Sequence, residues 1–151
     1  MDIKIRKAIN GEGKFADSFL TKLIRDEKKY DPNINENVWI IDYYENIINK
    51  ENHIILFAEL DNKIIGYLYG YIIEEKGILI DKTSKIDALY VEEKYRGNKV
   101  GDTLIKKFKD WSKEKEVKTI EIDVWAQNES ARRLYSNNNF KEKKITMVTE
   151  V

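Results

Sequence analysis

Cysteine is absent from the 151 residues, histidine and proline occur once each, and Lys plus Arg (27) equal Asp plus Glu (27). Without cysteine there is no disulfide, no thiol nucleophile and no thiolate-ligated metal, and such a composition fits a reducing compartment. A single histidine, His53, leaves no material for a His-rich metal site. With zero net charge, no overall field draws the chain to nucleic acid or to an anionic membrane, and no recognition-helix or RNA-binding signature is present. No apolar run approaches the roughly 18 residues of a membrane span. The opening residues MDIKIRKAIN alternate as a strand does and lack the apolar centre of a signal peptide. The expectation is one cytoplasmic domain over residues 1–151, large enough to bury a core, with no nucleic-acid, membrane or metal partner.

What is present is a succession of apolar patterns. Residues 3–9 alternate as a half-buried strand, and Phe15, Phe19, Leu20, Leu23 and Ile24 recur at helical spacing over about 14–29. Asp31-Pro32 ends that helix, because proline disfavours the helical conformation in the residue before it. A second helix is expected over about 36–49, where Val38, Ile41 and Ile48 recur among aromatic residues. Residues 53–60 and 63–73 read as a hairpin joined at Asp61-Asn62, a pair suited to a tight turn. Within its second strand Tyr67, Tyr69 and Tyr71 fall on one face, opposite Leu68, Gly70 and Ile72, and one of the two faces is expected to be wet or lined by ligand. A loop at 74–82 leads to a strand at 84–91, a helix at 100–113, a strand at 118–124, a helix at 128–136 and a last strand near 140–149. The order β-α-α-β-β-β-α-β-α-β predicts an α/β (α+β) fold: a mixed sheet, antiparallel in its first half, with helices on both faces.

Residues 86–102, IDALYVEEKYRGNKVGD, carry the most chemistry: an apolar strand, a basic loop flanked by glycines, then a helix. In the first turn of a helix the backbone N–H groups lack intrahelical partners and the macrodipole is positive there, so a phosphorylated ligand is held by the main chain. Arg96 and Lys99 add side-chain cations. Residues 119–140, TIEIDVWAQNESARRLYSNNNF, repeat the strand-then-helix plan. Together Arg96, Lys99 and Gly101, then Asn128, Ala131 and Tyr135, then Asn139 and Phe140 resemble the GNAT N-acetyltransferase superfamily. Its acetyl-coenzyme A loop reads Arg/Gln-x-x-Gly-x-Gly/Ala, and its later helix reads Asn-x-x-Ala-x-x-x-Tyr followed by Gly-Phe. The resemblance spans about residues 84–141. Lys99 stands at the family's middle glycine, and either pairs with a phosphate or weakens the grip on the cofactor. Asn139 replaces the later glycine, a milder change because Asn tolerates the left-handed conformation that ends a helix.

The resemblance implies a mostly antiparallel central sheet with a splayed parallel strand pair. It also implies transfer of the acetyl group of acetyl-coenzyme A to a primary amine of a small molecule or a peptide, by direct attack in a ternary complex. Arg96, Gly97, Asn98, Lys99, Val100, Gly101 and Asp102 would face the pyrophosphate, and main-chain groups of Leu89 and Val91 the pantetheine arm and thioester carbonyl. Asn128 and Ala131 belong to the later motif; Asn128 caps its helix, bonds the pantetheine amides, or does both. Tyr135 would protonate the leaving thiolate. The base is open between Asp123, five residues before Asn128, and Asp87, which strand alternation places on one face with Leu89 and Val91. On the acceptor side Trp39, Tyr43, Tyr44, Tyr67 and Tyr69 offer aromatic walls, and Glu36, Asp42, Glu45, Glu59, Glu74 and Glu75 offer charge for a cationic amine. The alternative function is a non-catalytic coenzyme A sensor that keeps the fold. The alternating tail 145–151 offers an edge for a homodimer of the kind relatives form through terminal strands.

Overall fold

A computed structural model describes residues 1–151. Its elements are β1 (Lys4–Lys7), α1 (Gly13–Glu27), β2 (His53–Leu60), β3 (Lys63–Ile72), β4 (Thr83–Val91), α2 (Val100–Glu114), β5 (Thr119–Ile122) and α3 (Glu129–Asn137), with a short 3-10 turn at Glu93–Tyr95. The sheet order is β1-β2-β3-β4-β5, with every pair antiparallel except the parallel β4–β5. Between β2 and β3 the chain turns at Asp61 (φ 50°) and Asn62 (φ 63°), the two positive values that a twist-matched two-residue hairpin requires. No helix is long and apolar enough to cross a membrane.

Alternation along the central strands gives the sheet two buried faces. Ile54, Leu56, Ala58, Leu68, Ile72 and Ile86 pack against Leu104, Ile105, Phe108 and Trp111 of α2 and Tyr135 of α3. Ile55, Phe57, Tyr67, Tyr69, Ala88 and Tyr90 pack on the other face against Ala16 and Phe19 of α1 and against Tyr44. Helices therefore cover both faces, as the pattern predicts. The tyrosine face of β3 is not wet: Tyr67 and Tyr69 are buried, and the Tyr67 and Tyr44 hydroxyls satisfy each other at 3.0 Å. Period-two spacing identifies the shared face but not what covers it.

Two expected elements do not form. Residues 36–49 are a chain of turns rather than a helix. Asp31 and Asn35 accept the N–H groups of Asn33 and Asn37 through their side chains (2.9 and 3.0 Å), local bonds that compete with helix. The segment is instead strapped to α1. Arg25 donates to Val38 O, Thr21 Oγ1 accepts from Ile40 N–H, and the buried Asp17 accepts from Tyr44 N–H at 2.9 Å. Residues 140–149 form no ladder and are largely exposed, which leaves β5 as the sheet edge, with Lys143 tied to Glu121 at 2.7 Å. Alternation alone cannot supply a partner strand.

β4 positions the site. It pairs with β3 from Ser84 to Val91 but with β5 only from Thr83 to Ile86, so the parallel pair splays beyond Ile86. At that point Asp87 is an extra residue: Tyr69 faces Ala88 while Gly70 faces Ile86. The bulge reverses the alternation, so that Ile86 belongs to the α2 face and Ala88 and Tyr90 to the α1 face.

Across the α2 face, Gly70 makes room for Phe108: a Cβ there would lie 2.2 Å from the Phe108 ring and 2.8 Å from Lys85 O. Gly70→Ala is expected to destabilise the fold by about 2 kcal/mol or more through overpacking. Urea denaturation checks this, and a double substitution with Phe108→Leu should recover part of the loss.

Candidate active site

The loop after β4 ends in a left-handed turn. Gly97 (φ 80°) and Lys99 (φ 63°) both have positive φ, and Lys99 is the N-cap of α2. A lysine thus adopts a backbone conformation that glycine adopts freely, consistent with the glycine found there in similar motifs. Its ammonium makes neither hydrogen bond nor ion pair. The helix starts differ in how their amides are satisfied. Glu45 accepts from Gly11 and Gly13 N–H at α1 (2.8 and 2.9 Å), and Asn128 Oδ1 accepts from Ala131 N–H at α3 (3.1 Å). At α2 no side chain caps, and the N–H groups of Val100, Gly101 and Asp102 have no acceptor in the protein. These open amides fit a phosphate. Beside them lies an open hollow of about 270 Å³ lined by Lys99, Asp102, Thr103, Lys106, Lys109 and Asn138.

Arg96 is held in place by three groups. Its Nε donates to Val91 O at 2.8 Å, its guanidinium lies 5.3 Å from the Tyr90 ring centre, and Asp26 of α1 stands 3.7 Å away. Asn98 closes the loop by donating to Tyr95 O and Arg96 O. Asp102 faces α3, where its carboxylate accepts from Asn138 Nδ2 at 2.9 Å and ties the two helices together. Gly101 packs beneath Leu134, where a Cβ would lie at 3.1 Å. Glu92 N–H reaches back to Ile65 O of β3, so alternation turns the peptide groups of Leu89 and Val91 toward the side that β5 has left.

α3 begins and ends in ways that fix Tyr135. Asn128 caps its start, with Ala131 as the residue capped. At its end Phe140 N–H donates to Tyr135 O and Asn139 N–H to Ser136 O, with Asn139 at φ 70°. This is a Schellman closure with Asn in the glycine position, and its accompanying apolar contact is Tyr135 against Phe140, ring centres 5.7 Å apart. Tyr135 is buried on the α2 face, and desolvation pushes its phenol well above the ordinary value. A phenol so placed holds its proton.

The two carboxylates named from the sequence both interact with Lys85 but differ in surroundings. Asp123 is 80 % exposed and its carboxylate is paired with Lys85 at 2.8 Å. Asp87 does not share the face of Leu89 and Val91, because the bulge redirects it. Its charge is felt by Tyr43, Tyr44, Tyr67 and Tyr69 of the α1 face. Desolvation holds its carboxyl above the usual carboxylate range, with Lys85 opposing. Among the acceptor-side candidates, Tyr44 and Tyr67 are core, Glu45 serves α1, Glu59 pairs with Arg6 and Glu75 closes its own loop. Trp39 and Tyr43 remain at the surface. Periodicity passed over Glu27 and Trp125, which meet through a hydrogen bond between Trp125 Nε1 and Glu27 Oε2. They lie 98 residues apart, and no spacing signals such a pair.

A splayed strand pair, open helix amides and a buried tyrosine on the following helix coincide with a match to the acetyltransferase (GNAT) family over residues 20–140. The chain belongs to the GNAT acetyltransferase family. An uncharacterized N-acetyltransferase of Archaeoglobus fulgidus is 25 % identical over 104 residues, covering 66 % of this chain and 67 % of that protein. Among solved structures, a mutant of the BH1408 protein of Bacillus halodurans superposes with a TM-score of 0.87 at 22 % identity, covering 98 % of this chain and 99 % of that one. An aminoglycoside acetyltransferase from an uncultured soil metagenomic sample superposes at 0.73 with 19 % identity, covering 99 % and 96 %. These likenesses extend the shared fold to nearly the whole chain, including residues outside the motifs.

The conformation of Lys99 is directly testable. Lys99→Gly relieves left-handed strain of about 1 kcal/mol but adds a similar unfolded-state entropy, so the urea midpoint should barely move. Lys99→Val, β-branched at a positive φ, should cost about 2 kcal/mol. Equal midpoints for the valine and glycine variants would refute the left-handed N-cap.

Proposed function

We propose that this GNAT protein transfers the acetyl group of acetyl-coenzyme A to a primary amine of a small molecule or peptide. The observation that carries this reading is the set of unsatisfied amides at Val100, Gly101 and Asp102, opening where β4 and β5 diverge. In this reading those amides and Arg96 hold the pyrophosphate, with Lys99 as a further cation beside it. The outward peptide groups of Leu89 and Val91 align the pantetheine arm in the splay. Acetyl-coenzyme A supplies a thioester whose carbonyl is open to attack by an amine. Tyr135, kept protonated by its buried surroundings, gives its proton to the departing thiolate. Of the two carboxylates named from the sequence, Asp87 is displaced toward its protonated form, whereas Asp123 is paired with Lys85.

Calorimetric titration of acetyl-coenzyme A tests the cradle. Arg96→Ala should weaken binding by about tenfold or more, the worth of one charge-assisted contact. Tyr135→Phe should leave binding intact and lower kcat by about 10² to 10⁴, the range for general acid catalysis. Binding without turnover of any amine would indicate a coenzyme A sensor, and absence of binding would refute the cradle.

A further inference from the structure

A third carboxylate acts electrostatically on Tyr135. Glu27 ends α1, and it accepts the indole N–H of Trp125 in the loop that continues β5. Its neighbour Asp26 stands 3.7 Å from Arg96 in the loop that continues β4. The last turn of α1 therefore reaches the continuations of both strands of the splayed pair and lies across the gap between them. α1 covers one face of the sheet and α3 the other, so Glu27 and Tyr135 lie on helices that flank the sheet from opposite sides. Glu27 is the charge that the Tyr135 phenol feels, whereas the charge of Asp87 falls on the tyrosines of the α1 face. Glu27 is half-buried, and desolvation and Asp26 hold its carboxyl above the usual carboxylate range while the indole donor opposes them.

Acyl transfer to an amine needs a base on the attacking side and an acid on the leaving side of one carbonyl carbon. Resting on the N-acetyltransferase reading, we propose that Glu27, oriented by Trp125, binds the acceptor's ammonium at the mouth of the splay and is the general base of the reaction. Glu27 takes one proton from the ammonium and passes it to solvent. The freed nitrogen lone pair forms the C–N bond as the carbonyl π pair moves onto oxygen. That pair then re-forms the C=O bond while the C–S bond breaks with its electrons on sulfur. Tyr135 gives its proton to the thiolate, and the proton still in excess on nitrogen returns the phenolate to phenol. The balance is one proton released per acetyl group transferred. Trp125 acts through Glu27 and is a positioning residue.

The test compares Glu27→Gln, Asp87→Asn and Trp125→Phe with the wild type on an alkyl diamine, an aminoglycoside and a peptide with a free N-terminus. Glu27→Gln should lower kcat/KM by about 10² to 10⁴ and abolish the acidic limb of its pH profile, with acetyl-coenzyme A affinity by calorimetry unchanged. Asp87→Asn should keep that limb. Trp125→Phe removes the donor that lowers the Glu27 carboxyl, so its limb should move to higher pH. Independently of turnover, tryptophan emission of the free protein should show a pH transition above the usual carboxylate range that both Glu27→Gln and Trp125→Phe remove. The proposal is overturned if Glu27→Gln keeps the limb and Asp87→Asn loses it, an outcome that leaves the transferase reading standing. Acetyl-coenzyme A binding by wild type with no amine of the panel acetylated strikes the transferase reading, and the proposal with it.

Discussion

The site exists because two neighbouring strands stop pairing while one of them continues. β4 keeps its ladder with β3 as far as Val91, but β5 accompanies it only to Ile86. Buried peptide groups normally find partners, and a strand edge released part-way along its ladder is an opening that some other group must fill. The extra residue at Asp87 sits at the point of divergence and strengthens the local twist. Downstream of it, the peptide groups of Leu89 and Val91 turn outward, and the Leu89 side chain lies beside Gly101 at the open start of α2.

A gap of this kind is useful only if its walls are rigid, and the two faces of the sheet supply that differently. On one face α2 seats Phe108 in the space left by Gly70, and α3 is tied to α2 through Asp102, Asn138 and the packing of Leu134 over Gly101. On the other, aromatic rings form a continuous layer: Phe19 stacks on Tyr67 and leans on Tyr90, and Tyr44 meets Tyr67 and Tyr69 edge-on. Such ring pairs add modestly to the burial of large apolar surfaces. The irregular segment before β2 is held to α1 by side-chain bonds to its backbone rather than by helical periodicity.

The electrostatics of the site are local, as a chain with equal numbers of acidic and basic residues requires. Arg96 is poised by a carbonyl, a ring and a carboxylate, whereas Lys99 is unpaired. The carboxylates differ in behaviour: Asp123 is paired with Lys85, while Asp87 and the half-buried Glu27 are both shifted toward the protonated form. Carboxyls displaced in this way are characteristic of places where protons are exchanged.

Short-range patterns made much of this legible. The Asp61-Asn62 hairpin, the amphipathic α1 and α2, the loop from Arg96 to Asp102 and the motif from Asn128 to Tyr135 each depend on residues within a turn or two of one another, where turn chemistry and helical spacing act. The family's glycine positions were legible even where Lys99 and Asn139 occupy them, because the backbone keeps the left-handed conformation. Periodicity misled where side chains competed with the backbone, as Asp31 and Asn35 do in the segment that does not become a helix. It also misled where alternation was broken by one inserted residue, as at Asp87. By itself the sequence determined the order of most elements, the family and the basic loop that opens α2. Only the tertiary structure decided which face buries the tyrosines, which way Asp87 points and that Glu27 meets Trp125. Those outcomes depend on packing between segments far apart in the chain, and local spacing carries no information about such contacts.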